Sequence, residues 1–236
     1  MKNSTVLVSG ASGNLGEQVV REFINLNHKV VGLVRRKKQN SENPDYLILE
    51  ADLLKEDETA QSVASAISQT GKIEIAVLTA GGFAMGTIAS TTISDLEKYY
   101  KLNFETAYNV ARPLLMHMQK NRKGKIFFIG SGVGLDTQKG SKSVAYTLSK
   151  SLLFQLANII NVRMEETGVQ AHVIVPGTID TPQNRQAMPN ADFSQWFTPA
   201  DIAKVIYHHS KLKNSIGNTV IVIKDELMNG YLPFSH

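Results

Sequence analysis

The sequence predicts an α/β fold in which one parallel, doubly wound sheet of about seven strands carries helices on both faces. Three observations predict it. Short apolar runs alternate with helix-compatible segments along the chain, as parallel strands joined by crossover helices require. The first run leads through a glycine-rich turn into a helix. Several later runs end in glycine or other small residues, at the strand ends where such a sheet places its ligands.

Thr5–Ser9 is the first strand, and Gly10-Ala-Ser-Gly13-Asn-Leu-Gly16 follows it before Val19, Val20, Phe23, Ile24 and Leu26 take up helical period. Glycines at these positions allow a tight turn, close approach of backbone to a pyrophosphate, and close packing of helix on strand. The helix start adds unpaired N–H groups, so the segment reads as a dinucleotide site. Lys29–Val34 is the second strand. An acid at its end would read an unphosphorylated ribose, but Val34 is followed by Arg35 and Arg36. Guanidinium groups suit a 2′-phosphate, which favours NADP(H) over NAD(H).

Asn40–Asp45 is too short for a crossover helix and precedes a third strand, Tyr46–Leu49. Glu56, Asp57 and Glu58 suit the start of a helix with Val63 and Ile67 on its apolar side. Ile73–Leu78 is the fourth strand and ends in Thr79-Ala80-Gly81-Gly82, where a ligand can lie close against the backbone. Ser94 or Asp95 is expected to cap a long helix running to about Asn121 and bent at Pro113. Gly124–Gly130 and Val169–Val175 are the fifth and sixth strands, leading to Ser131-Gly-Val-Gly134 and Pro176-Gly177. Residues 181–198 form a helix-poor excursion, Pro199–Ser210 a helix, and Thr219–Ile223 a closing strand.

Between the fifth and sixth strands, Ser143–Thr167 carries Tyr146-Thr-Leu-Ser-Lys150 and continues as an apolar helix. Positions four apart share a helix face, so the Lys150 ammonium can sit beneath the Tyr146 phenol or beside a ligand there. A free tyrosine titrates near ~10, and lowering it by ~3 units requires about 4 kcal/mol of differential stabilisation. A fixed lysine together with a cationic cofactor ring is a source of that stabilisation. Taken alone, a tyrosine and a lysine at this spacing are ordinary surface pattern, so the reading depends on the segments around them.

At 236 residues, 42% hydrophobic and 19% charged, the chain fits one domain spanning residues 1–236. The absence of cysteine excludes disulfides, thiol catalysis and cysteine-bound metal, in keeping with a reducing cytoplasm. The six histidines have no ligand spacing, so no metal is expected. No apolar stretch reaches membrane-spanning length and no cleavage site follows Met1, which reads as a soluble, untargeted protein. A net charge of +4 is scattered apart from residues 35–38 and 120–125, so neither nucleic acid nor membrane is the expected partner.

Taken in order, Ser9-Gly10-Ala-Ser-Gly13-Asn-Leu-Gly16, Asp52-Leu53, Thr79-Ala80-Gly81, Leu102-Asn103, Ser131, Tyr146-x-x-x-Lys150 and Pro176-Gly177-Thr178-Ile179-Asp180-Thr181 resemble the short-chain dehydrogenase/reductase family over nearly the whole chain. The resemblance implies a Rossmann-type sheet in the order 3-2-1-4-5-6-7. It also implies that Tyr146 is the acid/base, that Lys150 holds the nicotinamide ribose and lowers the phenol pKa, that Ser131 orients the carbonyl, and that Asn103 supports a proton-relay water. The cofactor set it implies is Gly10, Ser12, Gly13, Asn14, Leu15, Gly16, Arg35, Arg36, Asp52, Leu53, Ala80, Gly81, Tyr146, Lys150, Pro176, Gly177, Ile179 and Thr181. The two longest helices pair across a two-fold axis in this family, which implies a homodimer or homotetramer.

Some features depart from that pattern. The glycine spacing resembles the family's extended branch, Thr79 stands where asparagine is usual, and Ser131 lies fifteen positions before Tyr146, about two more than is typical. Asp180–Trp196 and Ala80-Gly81-Gly82 resemble quinonoid dihydropteridine reductases, whereas Arg35 and Ser131 do not. The sequence therefore implies an NADPH-dependent oxidoreductase acting on a small carbonyl or alcohol. Reduction of a quinonoid substrate and non-catalytic NADP(H) sensing stand as alternatives.

Overall fold

The computed structural model describes residues 4–37, 39–212 and 219–223. Lys38 of the basic run at 35–38 and His236, one of the six histidines, lie outside these residues. Seven strands are described: β1 Thr5–Ser9, β2 Lys29–Val34, β3 Tyr46–Glu50, β4 Ile75–Leu78, β5 Gly124–Ile129, β6 Val169–Val175 and β7 Val220–Val222. They form one sheet in the order β3-β2-β1-β4-β5-β6-β7, with every neighbouring pair parallel.

Because side chains alternate along a strand, each strand feeds two separate cores. Val6 and Val8 of β1 point to the face covered by α1 (Asn14–Asn25) and α8 (Pro199–Lys211), where Val19, Phe23, Ile202 and Ile206 are buried. Leu7 points the other way, toward α2 (Glu56–Thr70), α4 (Thr106–Asn121) and α6 (Val144–Arg163), with Val63, Leu114 and Leu153. Both faces are sealed, which is why the central strands read as continuous apolar runs. The order of strands reverses between β1 and β4, opening a crevice at their carboxyl ends.

The segment expected to be one long capped helix is built differently. Thr92, and neither Ser94 nor Asp95, caps α3 (Ile93–Tyr100), its hydroxyl accepting from the Asp95 N–H while the Asp95 carboxylate accepts from the Thr92 N–H. Residues Lys101–Glu105 then widen into a π turn before α4 resumes. Pro113 sits inside α4, which continues through it, and the departure from α geometry lies around Asn103.

The excursion expected to be poor in helix also contains α7 (Pro182–Ala187) and a 3₁₀ turn at Phe193–Gln195. Thr181 caps α7 and Pro182 fills its first turn, a start signal visible in the sequence. The two ends of the excursion are tied together. The Phe197 N–H donates to the Thr178 carbonyl at 3.0 Å, and the Asp180 N–H to the Phe197 carbonyl at 2.8 Å.

Several apolar side chains on α3, α4 and α6 face outward. Met116 is 66%, Ile159 64% and Val162 79% exposed, and Tyr100, Tyr108 and Leu148 are also exposed. Among the described residues, no helix is long and apolar enough to cross a membrane.

Candidate active site

The glycine turn leaves no room for side chains. Gly10 has φ +67°, and a Cβ on Gly16 would fall 2.2 Å from the Gly10 carbonyl oxygen. The turn is held to the neighbouring strand by Thr79, whose hydroxyl donates to the Ser9 carbonyl at 2.7 Å. No side chain caps α1, so its first N–H groups are left open to an anion. Ser12, Gly13 and Asn14 are exposed along this turn, whereas Leu15 is buried in the core. These features fit a pyrophosphate.

Arg35 and Arg36 are exposed at the end of β2, and neither forms an ion pair with a described residue. The loop they begin is anchored where the Lys37 N–H donates to the Glu50 carboxylate at 2.9 Å. Asp52 folds its carboxylate back onto the Leu54 N–H, and the Leu53 carbonyl accepts from Asn109 at 2.9 Å. Those bonds tie the end of β3 to α4.

Tyr146 and Lys150 lie one turn apart near the start of α6. The Lys150 Nζ is 5.9 Å from the centre of the Tyr146 ring and donates to the Ile129 carbonyl at 2.7 Å. Burial lowers the lysine pKa to about 8. A Cβ on Gly81 would lie 3.4 Å from this Nζ and 2.7 Å from Asn103 Oδ1, so the absence of a side chain at Gly81 lets the backbone lie directly against both groups. Ser131 lies close enough to the Tyr146 phenol for its side chain to lower the phenol pKa. The extra residues between Ser131 and Tyr146 coil into a 3₁₀ turn (Gly132–Gly134) and α5 (Thr137–Gly140), capped by Asp136. The long spacing is thus taken up locally, and the serine still reaches the phenol.

Burial and hydrogen bonding set the surroundings of Tyr146 and Asn103. Burial raises the Tyr146 pKa above its usual value, with the Ser131 side chain as the opposing effect. In this arrangement the lysine engages a backbone carbonyl instead of the phenol. The Asn103 amide, expected to support a relay water, has its protons committed: it donates to the Gly82 carbonyl at 3.1 Å and to the Ser149 hydroxyl at 2.9 Å. Its oxygen accepts from the Gly82 N–H at 2.8 Å.

Ser149, missed in the sequence, completes this network by donating to the Tyr146 carbonyl at 2.7 Å. Its placement three residues after Tyr146 was the available signal. On the other wall, Pro176 is buried and Gly177 packs under the Phe197 ring. Ile179 accepts from the Asn184 side chain at 2.8 Å, and Thr181 caps the helix that brings Gln183 to Asn14, 2.8 Å away. The structure therefore gathers the glycine turn, Gly81, Ser131, Tyr146, Lys150 and residues 176–183 around one crevice, with Arg35 and Arg36 at the adjoining end of β2.

Comparison with known proteins follows the same outline. The family model described as short chain dehydrogenase matches residues 4–192. The chain is 26% identical over 190 residues to oxidoreductase UcpA of Salmonella typhimurium, covering 77% of this chain and 72% of that protein. It is 24% identical over 232 residues to dihydropteridine reductase of Dictyostelium discoideum, covering 95% of each. A solved structure of ElxO with NADP bound superposes with a TM-score of 0.84 at 22% identity, covering 94% of this chain and 97% of that one.

Burial of Lys150 also has a consequence for stability. An unburied lysine titrates near 10.5 and this one near about 8, so the folded protein carries the full cost of the buried ammonium below about 8. Between those two values the folded state releases a proton that the unfolded state keeps, and the cost fades as pH rises. Lys150→Met should therefore raise unfolding stability at pH 7 by up to about 3 kcal/mol, with the gain vanishing toward pH 10.5. Urea denaturation across this range checks it, and a pH-independent difference would contradict it.

Proposed function

The chain belongs to the short-chain dehydrogenase family of oxidoreductases, and from that membership we propose that it is an NADPH-dependent carbonyl reductase, or the alcohol dehydrogenase running in reverse. The observation that carries this reading is Ser131 beside the Tyr146 phenol, with the buried Lys150 one helical turn away and the Gly81 backbone close against it.

When bound, the nicotinamide cofactor supplies the hydride. Gly10, Ser12, Gly13, Asn14, Leu15 and Gly16 would hold its pyrophosphate, Asp52, Leu53, Ala80 and Gly81 the central part, Lys150 its ribose, and Pro176, Gly177, Ile179 and Thr181 the nicotinamide end. Tyr146 donates its proton to the carbonyl oxygen, and a phenol kept protonated by burial suits that task. Ser131 orients the oxygen and stabilises the charge that develops there. Lys150 keeps a positive charge close to the tyrosinate left behind. Asn103 and Ser149 hold the Gly82 turn against the helix that carries Tyr146.

This assignment makes Tyr146→Phe the most damaging change, since it removes the proton donor. Ser131→Ala should lower kcat by about 10²-fold while changing substrate affinity less. Steady-state oxidation of NADPH over a panel of aldehydes, ketones and a quinonoid pterin reads both variants. NADPH binding without turnover of any carbonyl would replace the reductase reading with that of a cofactor sensor. A silent Ser131→Ala beside an inactive Tyr146→Phe would favour the quinonoid substrate.

The exposed guanidinium groups at the end of β2 favour NADPH over NADH, because a charge-assisted phosphate contact contributes on the order of 1.5–3 kcal/mol. Arg35→Ala should weaken NADPH binding by roughly ten- to a hundredfold and leave NADH nearly unchanged. Fluorescence titration with both cofactors decides this, and equal losses would remove the assignment.

The outward apolar side chains of α4 and α6 are suited to a two-fold interface, so the proposed protein is a homodimer or a tetramer built from it. Light scattering at micromolar concentration should return a multiple of 25.9 kDa. A monomer would contradict it.

A further inference from the structure

Phe83 has no part in the acid/base set, yet it stands against the phenol proposed to do the chemistry. Its ring centre lies 4.9 Å from that of Tyr146 with the planes at 83°, and the residue remains 50% exposed. The backbone that carries it is pinned at three points. Gly82 is clamped by Asn103, the Phe83 carbonyl accepts from the Tyr99 hydroxyl at 3.3 Å, and Gly86 pairs with both Lys142 and Val144 at 2.8 Å. The two rings therefore form a fixed right-angled corner, one wall of which bears the reacting hydroxyl.

An exposed aromatic wall does more for a flat π-system than for a saturated ring of the same size, because offset stacking adds to simple burial. We propose that Phe83 is a substrate-binding residue that selects compounds whose carbonyl is attached to an aromatic or conjugated ring. The selection rests on the reading of Tyr146 as proton donor and names the substrate class of that same site.

Acetophenone and cyclohexyl methyl ketone are close in size and differ in flatness. Their binding to the protein saturated with NADP⁺, which cannot reduce them, is measured by NMR titration. The wild-type chain should bind acetophenone severalfold to about tenfold more tightly. Phe83→Leu, which keeps apolar bulk and loses the flat face, should remove the preference, and Phe83→Trp should retain it. No preference in the wild type, or one that survives in Phe83→Leu, overturns the proposal. Oxidation of NADPH is scored separately: its absence with every carbonyl of the panel would sink the reductase reading, while a preference lost only in Phe83→Leu would still support Phe83 as a binding wall for flat ligands.

Discussion

The buried amide of Asn103 can be satisfied only if three distant segments meet around it. Its oxygen needs the Gly82 N–H, and its two protons need the Gly82 carbonyl and the Ser149 hydroxyl. Leaving any of these unmade would strand a polar group in a buried setting, at a cost of roughly 1–3 kcal/mol. The end of β4, the π turn and the start of α6 are therefore held in one relation. Tyr146 and Lys150 inherit their positions from it through the Ser149 bond to the Tyr146 carbonyl.

The sheet was legible because its information is local and repeated. Each strand is a short apolar run, each turn carries small residues, and both faces are covered, so the alternation of elements leaves little freedom in topology. Boundaries were less accessible where side chains compete for backbone groups. Ser94 and Asp95 both look like helix caps, but Thr92 holds the position because Asp95 can reach back to close a reciprocal pair with it. The helix at Pro182 escaped for the opposite reason: its prolines suggested a loop, although a threonine followed by proline is also a helix start.

Within the candidate site, residues whose chemistry is stereotyped were readable and those acting through geometry were not. Tyr146, Lys150 and the glycines announce themselves by spacing. The reach of Ser131 depended on how the intervening residues coil, which the count of fifteen alone could not tell. Phe83 and Ser149 carry no chemical signature: one matters because its ring stands beside Tyr146, the other because a hydroxyl three residues on can touch a helix carbonyl. The direction of the Tyr146 shift was also hidden, since it turns on burial.

The widened turn at Lys101–Glu105 bears on how this chain can change over evolutionary time. Successive residues of an α-helix are separated by about 100°, and a π turn absorbs one residue beyond the α count. The face that α3 presents relative to α4 is thus set by chain length across this turn as well as by side-chain identity. A single insertion or deletion would rotate one half of the helix against the other, and Asn103 with it, so this short stretch is sensitive to gaps as well as to the loss of the Asn103 amide.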